Sequence, residues 1–212
     1  GGEIPKEFEA CGVPVNERGV RTNEALEVMR RLFTEDDVHF DGKFNTLSGV
    51  TLAPKPVQKT GPPIWVSGRK EAAWRRTAKY GTGWLPYMYT PEMLENSNEQ
   101  ISKYRHDEGN EVPVDPGLFI FFCCHEDNEK AIEYANERLS KQYNQDFTKM
   151  IDKYAIAGDP DRCVARLKEY VEAGARTIIL SAASPMHYIE ETERLMAKEV
   201  LPRFKGLDQL SK

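Results

Sequence analysis

Apolar residues recur along the chain in two patterns, helical faces and short unbroken runs, and these alternate from residue 64 onward. Continuous apolar runs are typical of strands buried on both faces, as in parallel sheets. The runs predict four strands, at 64–66, 83–87, 118–124 and 177–181. Because each is followed by a segment of helical spacing, we expect parallel strands in sequential order with helices on the outer face.

The helical segments have local start and stop signals. Thr90-Pro91 and Asp159-Pro160 each place a capping side chain directly before a proline, which favours a helix start. Gly81 and Gly174 follow the last periodic residues of two segments and favour helix ends. The predicted helices cover 18–34, 69–80, 91–109, 128–143, 147–154, 160–174 and 189–204.

Residues 35–63 interrupt the helical and strand patterns. Asp41-Gly42 stands between alternating apolar residues, which is a strong signal for a tight β-hairpin over 38–44. Four prolines between residues 49 and 63 predict an irregular loop. We expect the hairpin to lie outside the parallel sheet.

Composition narrows the function classes. The formal net charge is −5, so no global basic field favours nucleic acid or an anionic membrane. No apolar run approaches the ~20 residues of a membrane span, and the first residues lack the features of a signal peptide. The four cysteines form no C-x-x-C pair and are predicted to be core thiols, which fits a reducing cytoplasm. The four histidines lack the spacing of metal ligands, so no metal site is expected.

One turn carries candidate chemistry. Ser67-Gly68 joins the first predicted strand to a helix whose initial N–H groups lack helical partners and can bind an anion. The nearby positive charges, on Arg69, Lys70, Arg75 and Arg76, favour a phosphate. The alternative is that Ser-Gly only caps the helix and that the basic residues form a solvated face. Both interpretations remain open on these residues alone.

Longer stretches resemble a known family. The runs TLAPKPVQKTGPPIWVSGRKEAAWRRTAKYGTGWLP and GDPDRCVARLKEYVEAGARTIILS are similar to the bacterial luciferase-like superfamily of flavin and deazaflavin monooxygenases, most of all to its deazaflavin branch. The resemblance implies an α/β fold, the (β/α)₈ TIM barrel, with the four strands here as strands five to eight. It also implies that residues 1–212 form a single partial-barrel domain with 35–63 as an insertion.

The resemblance implies a cofactor and its contacts. The cofactor is the deazaflavin F420 or FMN, and the substrate is a small organic molecule. Residues after strands five and six contact the phosphate-bearing tail, which carries over to Ser67, Gly68, Arg69, Gly83, Trp84, Leu85 and Pro86. The family's first four strands lie upstream, with Gly1-Gly2 similar to the end of the fourth strand's loop, so the catalytic residues stay unassigned.

Three functions follow from these observations. The first is a luciferase-like oxidoreductase in which this chain carries the cofactor-phosphate half of the site, with weak cofactor binding and no turnover from this chain alone. The second is a non-catalytic remnant or oligomerising fragment of such an enzyme. The third is an unrelated phosphate-binding module. Open sheet edges and an uncovered inner face also predict a homo-oligomer, unless the natural protein contains the N-terminal half of the barrel.

Overall fold

The computed structural model describes residues 4–205 and contains a parallel sheet packed between helices. Its strands are β1 (Val38–Asp41), β2 (Thr46–Val50), β3 (Trp65–Val66), β4 (Gly83–Trp84), β5 (Asp115–Cys124), β6 (Ala155–Gly158) and β7 (Thr177–Ala182). Its α-helices are α1 (Pro5–Ala10), α2 (Arg18–Thr34), α3 (Glu71–Tyr80), α4 (Pro91–Asp107), α5 (Asn128–Tyr143), α6 (Ile151–Tyr154), α7 (Pro160–Glu172) and α8 (Ile189–Leu195). Gly1-Gly2, which the resemblance assigns to the end of the fourth strand's loop, lie outside the described residues.

The four predicted strands pair in chain order, and every pairing is parallel. β3 pairs with β4, β4 with β5, and β5 with β7. β4 ends at Trp84, earlier than predicted, although Tyr87 still bridges to Phe119 on β5. The predicted order is therefore confirmed. Within residues 4–205 the sheet is open, because β3 and β7 each pair along one edge.

A fifth strand of the sheet, β6, was not predicted. It pairs in parallel with the last four residues of β5. Since β7 occupies the other edge of β5 at Phe121 and Phe122, β6 lies on the same edge as β4. All four residues of β6 are buried. The run Ala-Ile-Ala-Gly is short and mostly small, so it carries no strand signal of its own.

β5 is enclosed on both faces. Leu118, Ile120 and Phe122 pack into one apolar cluster with α4, α7 and α8, and we call this side the outer face. Phe121 and Cys123 pack into a second cluster with α5 and α6 on the opposite, inner face. The expectation that all helices lie outside is thus wrong for α5 and α6, which cover the inner face at the carboxyl end of β5.

Several helix boundaries differ from the predicted ones. α3 begins at Glu71 and not at residue 69, since Lys70 has extended backbone. The helix predicted at 147–154 is reduced to the four residues of α6. The long helix predicted at 189–204 is α8 followed by a π-helical turn (Met196–Val200) and a 3₁₀ turn (Leu201–Phe204), because Pro202 cannot donate to a continued α-helix.

The hairpin lies outside the parallel sheet, as predicted, but its turn is longer. Asp41 pairs with Thr46, so a four-residue loop replaces the two-residue Asp41-Gly42 turn. The backbone N–H groups of 43–45 all donate to the carboxylate of Glu24 on α2. Although burial raises the pKa of Glu24, these hydrogen bonds and one from the Asn45 amide lower it overall. The wider loop is therefore anchored to α2.

Three of the four cysteines are core thiols, as predicted. Cys123, Cys124 and Cys163 are buried and free, and burial raises the pKa of Cys123 to about 12. Cys11 departs from the prediction, because it follows the short helix α1 and is exposed. Among residues 4–205, no helix combines the length and the apolar character needed to cross a membrane.

Two glycines make room for a tryptophan on the inner face. A Cβ on Gly83 would lie 2.4 Å from the ring of Trp65, and one on Gly117 would lie 2.6 Å from it. The Gly117 position is also 2.8 Å from the carbonyl oxygen of Trp84. The indole of Trp65 thus covers two neighbouring strands and remains 37% exposed. These positions require glycine for reasons of space and not of backbone angle.

We predict that Gly83→Ala and Gly117→Ala each destabilise the fold by about 1–3 kcal/mol, the usual range for overpacking. The three atoms nearest to a Cβ at residue 83 all belong to the Trp65 ring, so the double variant Gly83→Ala/Trp65→Ala should restore most of the loss caused by Gly83→Ala. The same background relieves Gly117→Ala only in part, because the Trp84 carbonyl stays in place. Urea unfolding and a double-mutant cycle measure both couplings.

Gly19→Ala on α2 is the matched control for these glycine variants. A Cβ there meets only Arg76 Nη2 at 3.4 Å, which is an ordinary contact. The stability of this variant should be unchanged or slightly higher. Equal losses of stability at residues 19, 83 and 117 would contradict the role assigned to Trp65.

Candidate functional site

The residues assigned to the cofactor tail come together at the carboxyl ends of β3 and β4. The backbone N–H of Leu85 donates to the carbonyl of Val66 over 2.9 Å, which places the turn after β3 beside the turn after β4. In a parallel α/β sheet, this end is where ligand sites are built. The segments predicted from sequence to be neighbours are neighbours in the structure.

Exposure differs among the assigned residues. Ser67 is exposed, and Gly68, Arg69 and Leu85 are half-buried. The other three are fully buried, namely Gly83, Trp84 and Pro86. A molecule bound at this end of the sheet can therefore contact the four exposed or half-buried residues directly. The three buried residues can act only through their neighbours.

Gly68 is held in an unusual conformation. Its φ is +133°, which L side chains rarely adopt, and a Cβ would lie 2.6 Å from Cβ of Ala73 on α3. Its carbonyl accepts a hydrogen bond from Nε1 of Trp84 at 3.1 Å. The ring of Trp84 is 0% exposed and packs in the outer-face cluster. Trp84 thus contacts the turn through its indole nitrogen and presents no ring face to solvent.

Tyr89 also reaches this turn, although no motif in the sequence indicates it. Its hydroxyl donates to the carbonyl of Arg69 at 3.3 Å and accepts from the hydroxyl of Ser97 on α4 at 3.4 Å. The hydroxyl of Tyr170 on α7 donates to the backbone carbonyl of Tyr89 at 2.7 Å. Burial raises the pKa of Tyr170 to about 12, so it remains a donor at neutral pH. These contacts join residues distant in sequence, which no local pattern encodes.

The four basic residues near the turn serve different purposes. Arg69 lies over the ring of Tyr87, with Cζ 5.1 Å from the centroid, and Lys70 is exposed at the helix start. Arg76 points to α2, where it donates to the Asn23 side chain and the Gly19 carbonyl. Of the four positive charges near the turn, that of Arg76 is therefore held against α2.

Arg75 is also occupied, in this case by an acidic residue. It forms an ion pair with Glu71, with Nη2 and Oε1 2.8 Å apart. The hydrogen bond from Arg75, followed by one from Tyr104, lowers the pKa of Glu71. Arg75 compensates the charge of this carboxylate in the first turn of α3, and the Tyr104 hydroxyl adds a hydrogen bond to it. The negative charge of Glu71 is thus countered at the helix end that favours anions.

Arg105 completes the support of α3 at its opposite end. This buried side chain on α4 donates through Nη1 to the carbonyls of Ala78 and Gly81, at 3.0 and 2.9 Å. Its Nε donates to the carbonyl of Val112. The last carbonyls of a helix lack helical donors, so the guanidinium both caps α3 and fixes it to α4.

His125 follows β5 at the same end of the sheet. Its Nδ1 accepts from the backbone N–H of Asp127 at 2.8 Å, so it caps the turn before α5. Its ring stacks on Tyr188 with centroids 4.8 Å apart, and Tyr134 packs edge-on against both rings. In the described part of the chain, no group of three or more His, Cys, Asp or Glu side chains is arranged to hold a metal.

Comparison with known proteins places this geometry in a family. The sequence model of the family described as luciferase-like monooxygenase matches residues 1–177. An F420-dependent glucose-6-phosphate dehydrogenase of Nocardia farcinica is 25% identical over 231 residues, covering 97% of this chain and 66% of that protein. The chain spans 66% of the length of this dehydrogenase, and the match to an uncharacterised protein of Mycobacterium bovis, 32% identical, covers 52% of this chain and 38% of that protein.

Solved structures share the fold. Monooxygenase RslO1 from Streptomyces bottropensis is 24% identical with a TM-score of 0.81, covering 96% of this chain and 67% of that one. The oxygenating constituent of 3,6-diketocamphane monooxygenase from Pseudomonas putida, solved with FMN, is 16% identical with a TM-score of 0.68, covering 95% and 69%. At these identities the likeness establishes the fold, that of the luciferase-like TIM-barrel enzymes.

The family match covers most of the chain, and the parallel βα units and the adjacent turns after β3 and β4 agree with it. The interpretation as an unrelated phosphate-binding module is set aside on this ground. The chain belongs to the luciferase-like monooxygenase family.

Proposed function

We propose that this chain is part of a luciferase-like oxidoreductase and binds the phosphate-bearing tail of F420 or FMN at the Ser67-Gly68-Arg69 turn. The enzyme acts on a small organic substrate. The observation that carries the proposal is that this turn, the start of α3 and the segment after β4 lie together at the carboxyl end of the sheet. The chain that carries them belongs to this family. Relatives named for F420 and a neighbour solved with FMN support both cofactors.

The side chains and backbone at this edge fit a phosphate. The first N–H groups of α3 lack helical acceptors, and Arg69 and Lys70 add positive charge in front of them. Glu71 is the acidic residue of the first helical turn, and its charge is countered by Arg75. The anionic phosphate of either cofactor therefore meets donors and cations here without opposition from an unpaired carboxylate.

The bound cofactor supplies hydride transfer in the case of F420 or oxygen activation in the case of reduced FMN. This chain's contribution is to hold and orient the tail. Backbone donors suit that task because they are fixed by the fold, and Arg69 adds a charge-assisted contact. The burial of Gly83, Trp84 and Pro86 keeps water from the floor beneath the turn.

The test compares cofactors with and without the phosphate. Calorimetric titration of the chain with FMN and riboflavin, and with F420 and the deazaflavin lacking its tail, gives a ratio of affinities for each pair. We expect the phosphorylated member of at least one pair to bind about tenfold tighter or better, as for hydrogen bonds to a charged group. Equal affinities within both pairs would contradict the proposal.

Arg69→Gln should lower this ratio while leaving the affinity for riboflavin and the tail-less deazaflavin unchanged. Arg176→Gln is the charge-matched control, because Arg176 precedes β7 at the opposite end of the sheet. A ratio that falls equally in both variants would mean that the protein's net charge, and not the turn, attracts the phosphate.

Gly68→Val should weaken phosphate binding more than Ser67→Ala does. The valine cannot adopt the Gly68 backbone angle, and its Cβ collides with Ala73, so the turn is displaced. The serine hydroxyl is exposed, and its loss removes at most one bond of about 1 kcal/mol. Thermal unfolding separates the loss of the turn from the loss of the whole fold. Tight binding of FMN or F420 by folded Gly68→Val would count against the site.

Self-association is a second part of the proposal, and exposed apolar residues on the inner face favour it. Trp65 is 37% and Ile179 is 44% exposed on that face. In residues 4–205, β3 and β7 each leave one edge without a strand. We expect a second copy of the chain to cover this surface, since such patches mark interaction sites.

Ile179→Lys should therefore shift the mass measured by light scattering towards the monomer. Met186→Lys is the control, because Met186 is 81% exposed but lies beyond the end of β7. A wild-type chain that is monomeric at all concentrations would refute the expected oligomer.

A further inference from the structure

We propose that Trp84 and Tyr89 are positioning residues that aim the backbone N–H groups of the phosphate-binding turn. This inference rests on the proposed function and assigns two buried side chains to it. Neither side chain is placed to touch the cofactor, since Trp84 is 0% and Tyr89 1% exposed. They act through the carbonyl groups of Gly68 and Arg69.

The argument begins with the planar peptide bond. In a trans peptide the C=O of one residue and the N–H of the next point in opposite directions. The carbonyl of Gly68 points to Nε1 of Trp84, and that of Arg69 points to the hydroxyl of Tyr89. The N–H groups of Arg69 and Lys70 are therefore directed away from the outer-face core. These two successive donors belong to the turn that directly precedes α3, where the phosphate is proposed to sit.

The two anchors are themselves immobile. Their rings pack edge to face, with centroids 5.4 Å apart and planes at 79°. The hydroxyl of Ser97 donates to that of Tyr89, and Tyr170 holds the Tyr89 carbonyl. Anchors buried in a close-packed core keep their positions, so the orientation of the donors is set before a ligand arrives.

Gly68 explains why such anchors are needed. A glycine loses more conformational freedom than any other residue when it is fixed, and its φ of +133° is one of many that it could adopt. Without the bond from Trp84, the peptide plane between Gly68 and Arg69 is free to rotate. Rotation would exchange an outward N–H for an outward carbonyl, which repels phosphate.

The first test uses two tryptophans that share one cluster. Trp84→Phe removes the N–H that holds the Gly68 carbonyl. Trp74→Phe is the matched control, because Trp74 packs against the same cluster and its Nε1 has no hydrogen-bond partner among the described residues. We expect Trp84→Phe to reduce the affinity ratio of FMN to riboflavin, or of F420 to the tail-less deazaflavin, about fivefold or more. Trp74→Phe should leave the ratio unchanged.

The second test covers the case in which Trp84→Phe fails to fold. Tyr89→Phe keeps the ring and deletes only the hydroxyl that holds Arg69. Thr192→Val is its control, because it also deletes a fully buried hydroxyl, but one that accepts from the backbone N–H of Cys124 at the end of β5 and does not bond the turn. We expect a severalfold loss of the affinity ratio in Tyr89→Phe, the wild-type ratio in Thr192→Val, and unchanged binding of the tail-less compounds by both.

The outcomes separate this inference from the proposed function. If the wild-type ratio is large and folded Tyr89→Phe keeps it, the positioning role is wrong and the phosphate site stands. If Tyr89→Phe weakens the phosphorylated and the tail-less compounds equally, the tyrosine is merely structural and the inference is again wrong. If the wild-type chain shows no preference for phosphate, the proposed site and its positioning residues fall together.

Discussion

Everything in the sheet is built around β5, whose two edges and two faces are all in use. β4 and β6 pair along one edge and β7 along the other, while separate apolar clusters cover the two faces. A strand enclosed in this way can satisfy its backbone only through its neighbours, so its position fixes theirs. β5 positions the segment around β4, because the N–H groups of Asp115 and Phe119 donate to the carbonyls of Thr82 and Pro86. That segment in turn bonds the end of β3 through Leu85 and Val66.

Local sequence patterns were sufficient to predict an element where a few neighbouring residues determine it. The run LFIFFCC is typical of a strand buried on both faces, and it forms most of β5. Thr90 and Asp159 cap their helices by accepting from Met93 and Arg162, as expected. β6 could not be predicted from its residues, because Ala, Ile, Ala and Gly form a strand here only by pairing with β5. The hairpin turn was misjudged because the carboxylate of Glu24, 19 to 21 residues away, gathers the loop amides.

In the candidate site, too, the features set by local sequence could be predicted, and those set by long-range packing could not. The position of the turn after β3 followed from the pattern and the resemblance, and the structure places the assigned segments side by side. The resemblance named Trp84 among the cofactor contacts, whereas its ring lies wholly in the core. Tyr89 and Tyr170 are 81 residues apart, and their bond exists only after α4 and α7 have packed together. Side chains that act on backbone carbonyls carry no residue signature, which is why sequence reasoning passed over them.

The exposed indole of Trp65 has an optical consequence. Of the three tryptophans, Trp84 is completely enclosed, Trp74 is half-buried, and Trp65 lies over Gly83 and Gly117 with more than a third of its surface in solvent. Indole emission shifts with the polarity of its surroundings, so the long-wavelength part of the protein's fluorescence originates at one known place on the inner face. The fold thereby contains its own spectroscopic probe of whatever polypeptide or ligand comes to cover that face.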